Sequence, residues 1–154
     1  MNTTIVRKWN ERIKPEDTVY HVGDFCFKSG QQGDGTPSDY WASQLNGKII
    51  HIRGNHDKNN GTNSILKRAG LNLGPYIALA NHEPLLETDT IPFMCNLIIC
   101  GHVHQNWKVK WLHWRGIPMI NIGVDQWNFY PVRMDELIGY YEKIMRESEL
   151  LTNE

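Results

Sequence analysis

The sequence predicts a single domain of mixed α/β class, built either as an α/β sheet or as a sheet sandwich flanked by helices. Its 154 residues suffice for one domain with a buried core, assigned to residues 1–154. Helical and strand-like hydrophobic patterns interleave along the chain. Apolar residues make up 40% and charged residues 21% of the composition, which is typical of a folded globular protein and not of a disordered one.

The first half of the chain contains three predicted helices and two predicted strands. In chain order these are a helix over 4–13, a strand over 18–22, a short helix from 38, a strand over 48–52 and a helix from 63 or 64 to about 70. Ile5, Trp9 and Ile13 lie on one face of the first helix. Ser38 caps the second helix, and Gly70 fits the position that follows the last turn of the third. A glycine-rich loop is expected at 29–37.

The second half contains four predicted strands and a closing helix. These are strands over 76–80, 96–100, 107–114 and 119–122, followed by a helix from 134 to about 151. Leu137, Tyr141 and Ile144 form the apolar stripe of that helix. The tryptophans and cationic residues of 107–115 suit either a half-buried strand or a surface that stacks on single-stranded nucleic acid, and we favour core packing.

Composition excludes several classes of function. The 16 basic and 17 acidic residues give a net charge of −1, which provides no bulk attraction for nucleic acid or an acidic membrane. No apolar run is long enough to span a bilayer, and the first four residues do not resemble a secretory signal. Three cysteines without a Cys-x-x-Cys spacing argue against a disulfide framework and predict a cytoplasmic protein.

Four of the predicted strands end in polar residues that can bind metals. These residues are Asp24; Asn55, His56 and Asp57; His82; and His102 and His104. Glycines stand just before three of the clusters, where they permit sharp turns and close approach of the backbone. Ligands of open α/β sheets bind at the carboxyl ends of the strands, so the clusters converge if the four strands share one sheet.

The donor types indicate a divalent metal centre. Imidazole favours Zn, Fe, Ni or Cu, whereas carboxylate and amide oxygens add tolerance for Mn. Five ligands exceed the needs of one catalytic zinc ion and suit two ions about 3.5–4 Å apart, bridged by a carboxylate. Asp24 is the best bridging candidate. Each residue alone is more typical of an ordinary turn, but four such turns together favour the metal site.

These motifs resemble those of the calcineurin-like metallophosphoesterases. The matching runs are Gly23-Asp24, Gly54-Asn55-His56-Asp57, His82 before a proline-containing turn, and Gly101-His102-Val103-His104. The order of the motifs also matches, and the resemblance extends from Trp9 to Asp125. Tyr20-His21-Val22-Gly23-Asp24-Phe25 and Asn121-Ile122-Gly123-Val124-Asp125 look most like the small bacterial and phage members.

The resemblance implies a four-layer α/β/β/α sandwich with a two-metal site that holds Mn, Fe or Zn. In such a site Asp24 would bridge the two ions. Asn55, His82 and His102 would bind the second metal, and His104 the first. His56 would act beside the scissile phosphate as general acid or charge stabiliser, with Asp57 orienting it and Arg53 contacting phosphate.

One departure from the family pattern concerns its opening strand, which ends in an Asp-x-His motif that completes the first metal's shell. No such motif is found in this sequence, so the first strand is expected to be missing and the domain N-terminally incomplete. The first metal then keeps only Asp24 and His104, and one bound ion is expected in place of two. An unpaired sheet edge would favour oligomerisation.

Two functions therefore remain open. The first is metal-dependent hydrolysis of a phosphodiester or phosphomonoester by a metal-activated water, impaired by the loss of two ligands; a nuclease would be a variant of it. The second is a degenerate, inactive binding protein that keeps the fold. Neither composition nor motif identifies the substrate, and no membrane partner is expected.

Overall fold

The computed structural model describes residues 2–26, 38–57 and 66–152. The predicted loop at 29–37 and the predicted helix start at 63 or 64 lie outside these residues. The helices of the described part are α1 (Asn2–Arg12), α2 (Ser38–Ala42) and α3 (Met134–Thr152). The strands are β1 (Thr18–Val22), β2 (Lys48–Ile52), β3 (Arg68–Leu73), β4 (Tyr76–Asn81), β5 (Leu97–Cys100), β6 (Val109–Leu112) and β7 (Ile117–Asn121). A 3-10 turn follows at Val124–Gln126.

The strands of the described residues form two sheets. Strands β1 and β2 pair in parallel, from Thr18 opposite Lys48 to Val22 opposite Ile52. The other five strands form a sheet of order β3-β4-β5-β7-β6, in which β4, β5 and β7 are parallel and the two edge strands are antiparallel. The mixed α/β class predicted from the sequence is confirmed, with a central sheet and helices packed around it.

Two apolar clusters hold the sheets and the closing helix together. The larger cluster joins both sheets to α3, and its buried members include Val22, Ile52, Ile99, Ile120 and Leu137. The smaller cluster lies on the opposite face of the five-stranded sheet, because neighbouring residues of a strand point to opposite faces. It brings together Leu79, Ile98, Met119, Leu85 and Cys95. Trp107 packs against this smaller cluster, as expected for core packing.

One predicted element is wrong. The sequence pattern predicts a helix ending near Gly70, but Arg68–Leu73 is the strand β3. Ala69, Leu71 and Leu73 are apolar at every second position, which is the period of a strand. Gly74, with φ +62°, then turns the chain directly into the antiparallel partner β4. The predicted strand over 107–114 is also shorter, at Val109–Leu112.

A large open cavity lies between α1 and β1 on one side and β3 and α3 on the other. Its volume is about 1840 Å³, and its walls carry apolar side chains such as Ile5, Val19, Leu71 and Ile138. Where the structure describes the chain, every helix is too short or too polar to cross a membrane.

Candidate metal centre

The loops after β1, β2 and β4 approach one another so closely that two positions require glycine. A Cβ on Gly54 would collide with the backbone nitrogen and carboxylate of Asp24. A Cβ on Gly23 would collide with the His82 ring, and Gly23 also has φ +90°. These glycines let three separate loops bring their polar side chains to one point.

Asp24, His82 and His102 each place one donor atom within 4.8 Å of the other two, and we call them the donor cluster. Asn55 completes the group, because its Oδ1 lies 2.9 Å from His82 Nε2 and 3.2 Å from His102 Nδ1. His82 Nε2 lies 3.2 Å from Asp24 Oδ2. The four residues that the family resemblance assigns to the second metal therefore lie close together.

The ring of His82 is held in a fixed orientation. It is 4% exposed, and its Nδ1 donates a hydrogen bond to the carbonyl of Val22 at 2.8 Å. A neutral ring bonded in this way presents a lone pair on Nε2, which here faces two oxygen acceptors. Such an arrangement needs a proton or a cation between the three atoms, so the donor set fits a divalent metal.

The protonation preferences of the cluster reflect this crowding. Burial alone would lower the pKa of His82, but hydrogen bonds to Asp24 and Val22 and the nearby carboxylate charges raise it above the ordinary value. Burial opposes ionisation of Asp24, yet its bonds to the His82 ring and the His56 backbone N–H lower its pKa overall. Both shifts favour an ionised carboxylate beside a positive charge. A bound metal ion would also supply such a charge.

Asp57 connects the loops after β1 and β2. Its carboxylate is 5% exposed and accepts hydrogen bonds from the backbone N–H groups of Gly54 at 2.7 Å, Asp24 at 2.9 Å and Phe25 at 3.1 Å. The role of orienting His56 was expected for Asp57. The bonds show that it fixes Asp24 and Gly54 relative to each other, and its role in orienting His56 stays a prediction.

The remaining predicted site residues lie at or outside the edge of the donor cluster. Arg53 and His56 are exposed, and the His56 N–H donates to Asp24 Oδ1 at 2.9 Å. His104 is not part of the donor cluster, and its Nδ1 lies 3.2 Å from Asp125 Oδ2. Asp24 and His104 nevertheless line the same cavity.

The predicted reason for the convergence needs a correction. The strands that carry the site do not share one sheet, since β1 and β2 form one sheet and β4 and β5 belong to the other. The clusters still meet because the two sheets pack against each other through a common apolar core. The ends of β1 and β4 are thus adjacent across the sandwich.

Two contacts of the site were not predicted. Asp125 pairs with His104, and the buried amide of Asn121 donates to the carbonyls of His104 and Trp107 at 2.7 and 2.9 Å. Both residues lie in the run 121–125, which resembles the family, but the resemblance assigned neither of them a role. The available signal was that polar residues follow β7 just as they follow the other site strands.

Histidines outside the site behave as structural residues, as expected. His21 and His51 occupy paired positions of β1 and β2, with ring centroids 5.7 Å apart, and both pack edge-on against Phe25. His113 is exposed. Cys95 and Cys100 are buried, and burial raises the pKa of the Cys100 thiol to about 12. Cys26 is only half-buried, so the expectation of burial is met by two of the three cysteines.

Known proteins resemble this chain in sequence and in structure. No family model matches the sequence. The uncharacterized protein MJ1445 of Methanocaldococcus jannaschii is 29% identical over 150 residues, which are 93% of this chain and 76% of that protein. A protein of unknown function from Aquifex aeolicus, AQ665, superposes with a TM-score of 0.69 at 24% identity, over 90% of this chain and 84% of that one.

Two further solved structures show a weaker similarity. Vps29 from Entamoeba histolytica, crystallised as a single mutant, has a TM-score of 0.48 and 15% identity over 79% of this chain and 63% of its own. A predicted phosphoesterase from Streptococcus pneumoniae has a TM-score of 0.43 and 20% identity over 79% of this chain and 65% of its own. The similarity to the Aquifex protein concerns the fold, so an activity must be argued from the site.

Proposed function

We propose that the chain binds a divalent metal through Asp24, Asn55, His82 and His102 and hydrolyses phosphoesters. The observation that carries this proposal is the environment of His82 Nε2, which faces Asp24 Oδ2 at 3.2 Å and Asn55 Oδ1 at 2.9 Å. Nitrogen and oxygen donors of this kind suit Mn, Fe or Zn. The motif order described above supports the phosphoester as substrate class.

Each side chain has a distinct part in the proposed reaction. When bound, a divalent cation supplies a water of lowered pKa and positive charge for the phosphoryl oxygens. His56 is exposed next to Asp24, where it can donate a proton or stabilise charge on a bound phosphate. Arg53 is exposed on the same loop and can contact a phosphate oxygen. Asp57 keeps this loop in place.

The proposal is tested by hydrolysis of a chromogenic phosphodiester and a chromogenic phosphomonoester with added Mn²⁺, together with metal analysis by mass spectrometry. We expect Asp24→Ala to lose the metal and the activity. His56→Ala should keep the metal and lose about 10²–10³-fold in rate, since it removes a stabilising group and no metal ligand. His113→Ala, an exposed histidine elsewhere, is the matched control.

The metal content also distinguishes the alternative. Two equivalents per chain support an intact two-metal enzyme, and one equivalent with slow turnover supports an impaired enzyme. A chain that binds no metal and hydrolyses nothing would be the inactive binding protein. Equal activity of the parent chain, Asp24→Ala and His56→Ala would refute the proposed site.

A further inference from the structure

His104 and Asp125 form a pair beside the donor cluster. His104 Nδ1 lies 3.2 Å from Asp125 Oδ2, and both residues line the cavity into which the donor cluster opens. Asp125 belongs to the 3-10 turn Val124–Gln126, which begins three residues after the end of β7 at Asn121. A carboxylate at this distance accepts the Nδ1–H of a neutral imidazole and leaves Nε2 as the atom that is free to bind a ligand.

The backbone of His104 is fixed independently of this pair. The Asn121 amide donates to the His104 carbonyl at 2.7 Å, and the Gln126 amide donates to the same carbonyl at 3.0 Å. Asn121 is completely buried, and its Oδ1 accepts the N–H of Gly123 at 2.9 Å. The Gln126 amide therefore ties the turn that carries Asp125 directly to the His104 loop, and Asn121 bonds to the segments on both sides.

The conformation of the His104 loop is unusual for its residues. His102 and His104 have φ of +66° and +47°, in the left-handed region of backbone conformation that residues other than glycine seldom adopt. Strained positions of this kind persist where the surrounding structure holds them, and they concentrate at functional sites. Both of these residues line the same cavity.

Stability does not account for the pairing of the ring with the carboxylate. The His104 side chain is 77% exposed, and exposed ion pairs contribute little to the free energy of unfolding. The Asn121 bonds already hold the loop. What the carboxylate adds is control over the orientation and tautomer of the ring, as in carboxylate–histidine–metal arrangements.

We propose that Asp125 is a positioning residue for His104, and that it holds the ring as the Nδ1–H tautomer so that the lone pair of Nε2 can bind a second divalent cation. The inference deepens the proposed phosphoesterase and rests on it for the identity of the ligand. The arrangement of ring and carboxylate is independent of that activity.

The tautomer is measured first, on the metal-free chain, by long-range ¹H–¹⁵N correlation spectra of the imidazoles at pH 9. We expect His104 to be mainly Nδ1–H in the parent chain and to lose that majority in Asp125→Ala. Asp125→Asn keeps an oxygen acceptor and should retain more of the Nδ1–H form. An Nε2–H ring in the parent chain, or unchanged populations in Asp125→Ala, would overturn the proposal.

Metal binding is measured second, by calorimetric titration with Mn²⁺. Asp125→Ala should weaken one Mn²⁺ site about 10–100-fold, whereas Asp135→Ala, an exposed carboxylate on α3, should leave both affinity and tautomer unchanged. If the chain binds no Mn²⁺ and hydrolyses no phosphoester, the proposed function fails while the tautomer result still decides the role of Asp125. Intact Mn²⁺ affinity in Asp125→Ala would contradict a role in holding a cation.

Discussion

At the scale of single residues, one buried carboxylate organises the site. Asp57 accepts three backbone N–H groups that would otherwise be left without partners in a buried loop junction. An unsatisfied buried amide costs more than the net gain of the bond itself, so the loss of three acceptor contacts is expensive. Asp57 thus connects the sequence motif to the geometry of Asp24, which it holds by the backbone.

We therefore expect Asp57→Ala to lower the free energy of unfolding by roughly 2–4 kcal/mol. The control is Asp135→Ala, which removes a side chain that is 67% exposed and should lower the free energy of unfolding by less than about 1 kcal/mol. Urea denaturation measures the stability of both variants. Equal stabilities of the two variants would show that the three bonds do not matter.

Close backbone contact gives a second prediction at this scale. A Cβ at Gly54 has no space beside Asp24, whereas a Cβ at Gly70 meets nothing within 4 Å. Gly54→Ala should cost about 1–3 kcal/mol and weaken Mn²⁺ binding, because the Asp24 carboxylate must move. Gly70→Ala is the matched control and should change neither. Thermal unfolding and calorimetric titration measure both effects, and a neutral Gly54→Ala would contradict the close approach of the two loops.

The sequence predicts the metal-binding residues of the site better than the residues that hold them in position. Asp24, His82 and His102 stand out in the sequence because donor side chains follow apolar strands, and they do lie together. The sequence assigns no role to Asp125, because a carboxylate in a turn has many ordinary explanations. Only the three-dimensional contact with the His104 ring distinguishes it from a surface aspartate.

At the scale of elements, the end of β7 is the support of the His102–His104 loop. Asn121 is 0% exposed and uses both amide hydrogens and its oxygen in bonds to His104, Trp107 and Gly123. The side chain therefore replaces the backbone bonds that a longer strand would have made. The strand ends there, and its last residue orders the loop beside it.

We expect Asn121→Ala to destabilise the protein by roughly 2–4 kcal/mol, since it removes the amide donor of the Trp107 carbonyl, the acceptor of the Gly123 N–H and one of two amide donors to the His104 carbonyl. It should also reduce the proposed phosphoester hydrolysis more than the stability loss explains, because the His104 backbone is then held by the Gln126 amide without the Asn121 amide. Asn72→Ala, an exposed asparagine on β3, serves as the control and should be near neutral. Activity assayed well below the unfolding midpoint separates the two effects, and full activity in Asn121→Ala would contradict the role of this strand end.

Secondary structure is predicted correctly where a short apolar run has clear turn signals at both ends. Strands β1 and β2 have the predicted bounds, because their short apolar runs are enclosed by clear turn signals. Prediction fails at β3, where Gly70 resembles a helix end although the apolar residues alternate. The pairing with β4 across a tight turn decides that segment, and such a tertiary contact overrides local propensity.

At the scale of the whole molecule, the site lies where two sheets of unequal size meet. A two-stranded parallel sheet alone is marginally stable, so β1 and β2 depend on the apolar core they share with the larger sheet. The sequence predicted the α/β class and the family resemblance implied a sandwich, but neither predicted which site strands belong to which sheet. The expectations of a missing first strand and of association through an open sheet edge stay predictions, and sedimentation analysis can examine the latter.

The pairing of β1 with β2 buries a histidine whose protonation is expected to lower the stability of the fold. Burial lowers the pKa of His21 from 6.5 to about 4, and the neighbouring imidazole of His51 contributes in the same direction. The charges of Asp57 and Asp24 oppose this shift without reversing it. The unfolded chain thus binds a proton on this ring at a higher pH than the folded chain does.

The sign of the resulting pH dependence follows from proton linkage. Because the folded-state pKa of His21 is depressed, the free energy of unfolding should fall as the pH drops from about 6.5 to about 4, by up to about 3 kcal/mol. Burial also lowers the pKa of His51, which therefore contributes with the same sign. The raised pKa of His82 acts with the opposite sign above this window, and the lowered pKa of Asp24 acts below it. Urea denaturation at pH 7, 5.5 and 4.5 measures the slope. In His21→Phe, which keeps an aromatic ring against Phe25, the slope should flatten; in His113→Phe it should persist. An equal slope in both variants would assign the acid sensitivity to other groups.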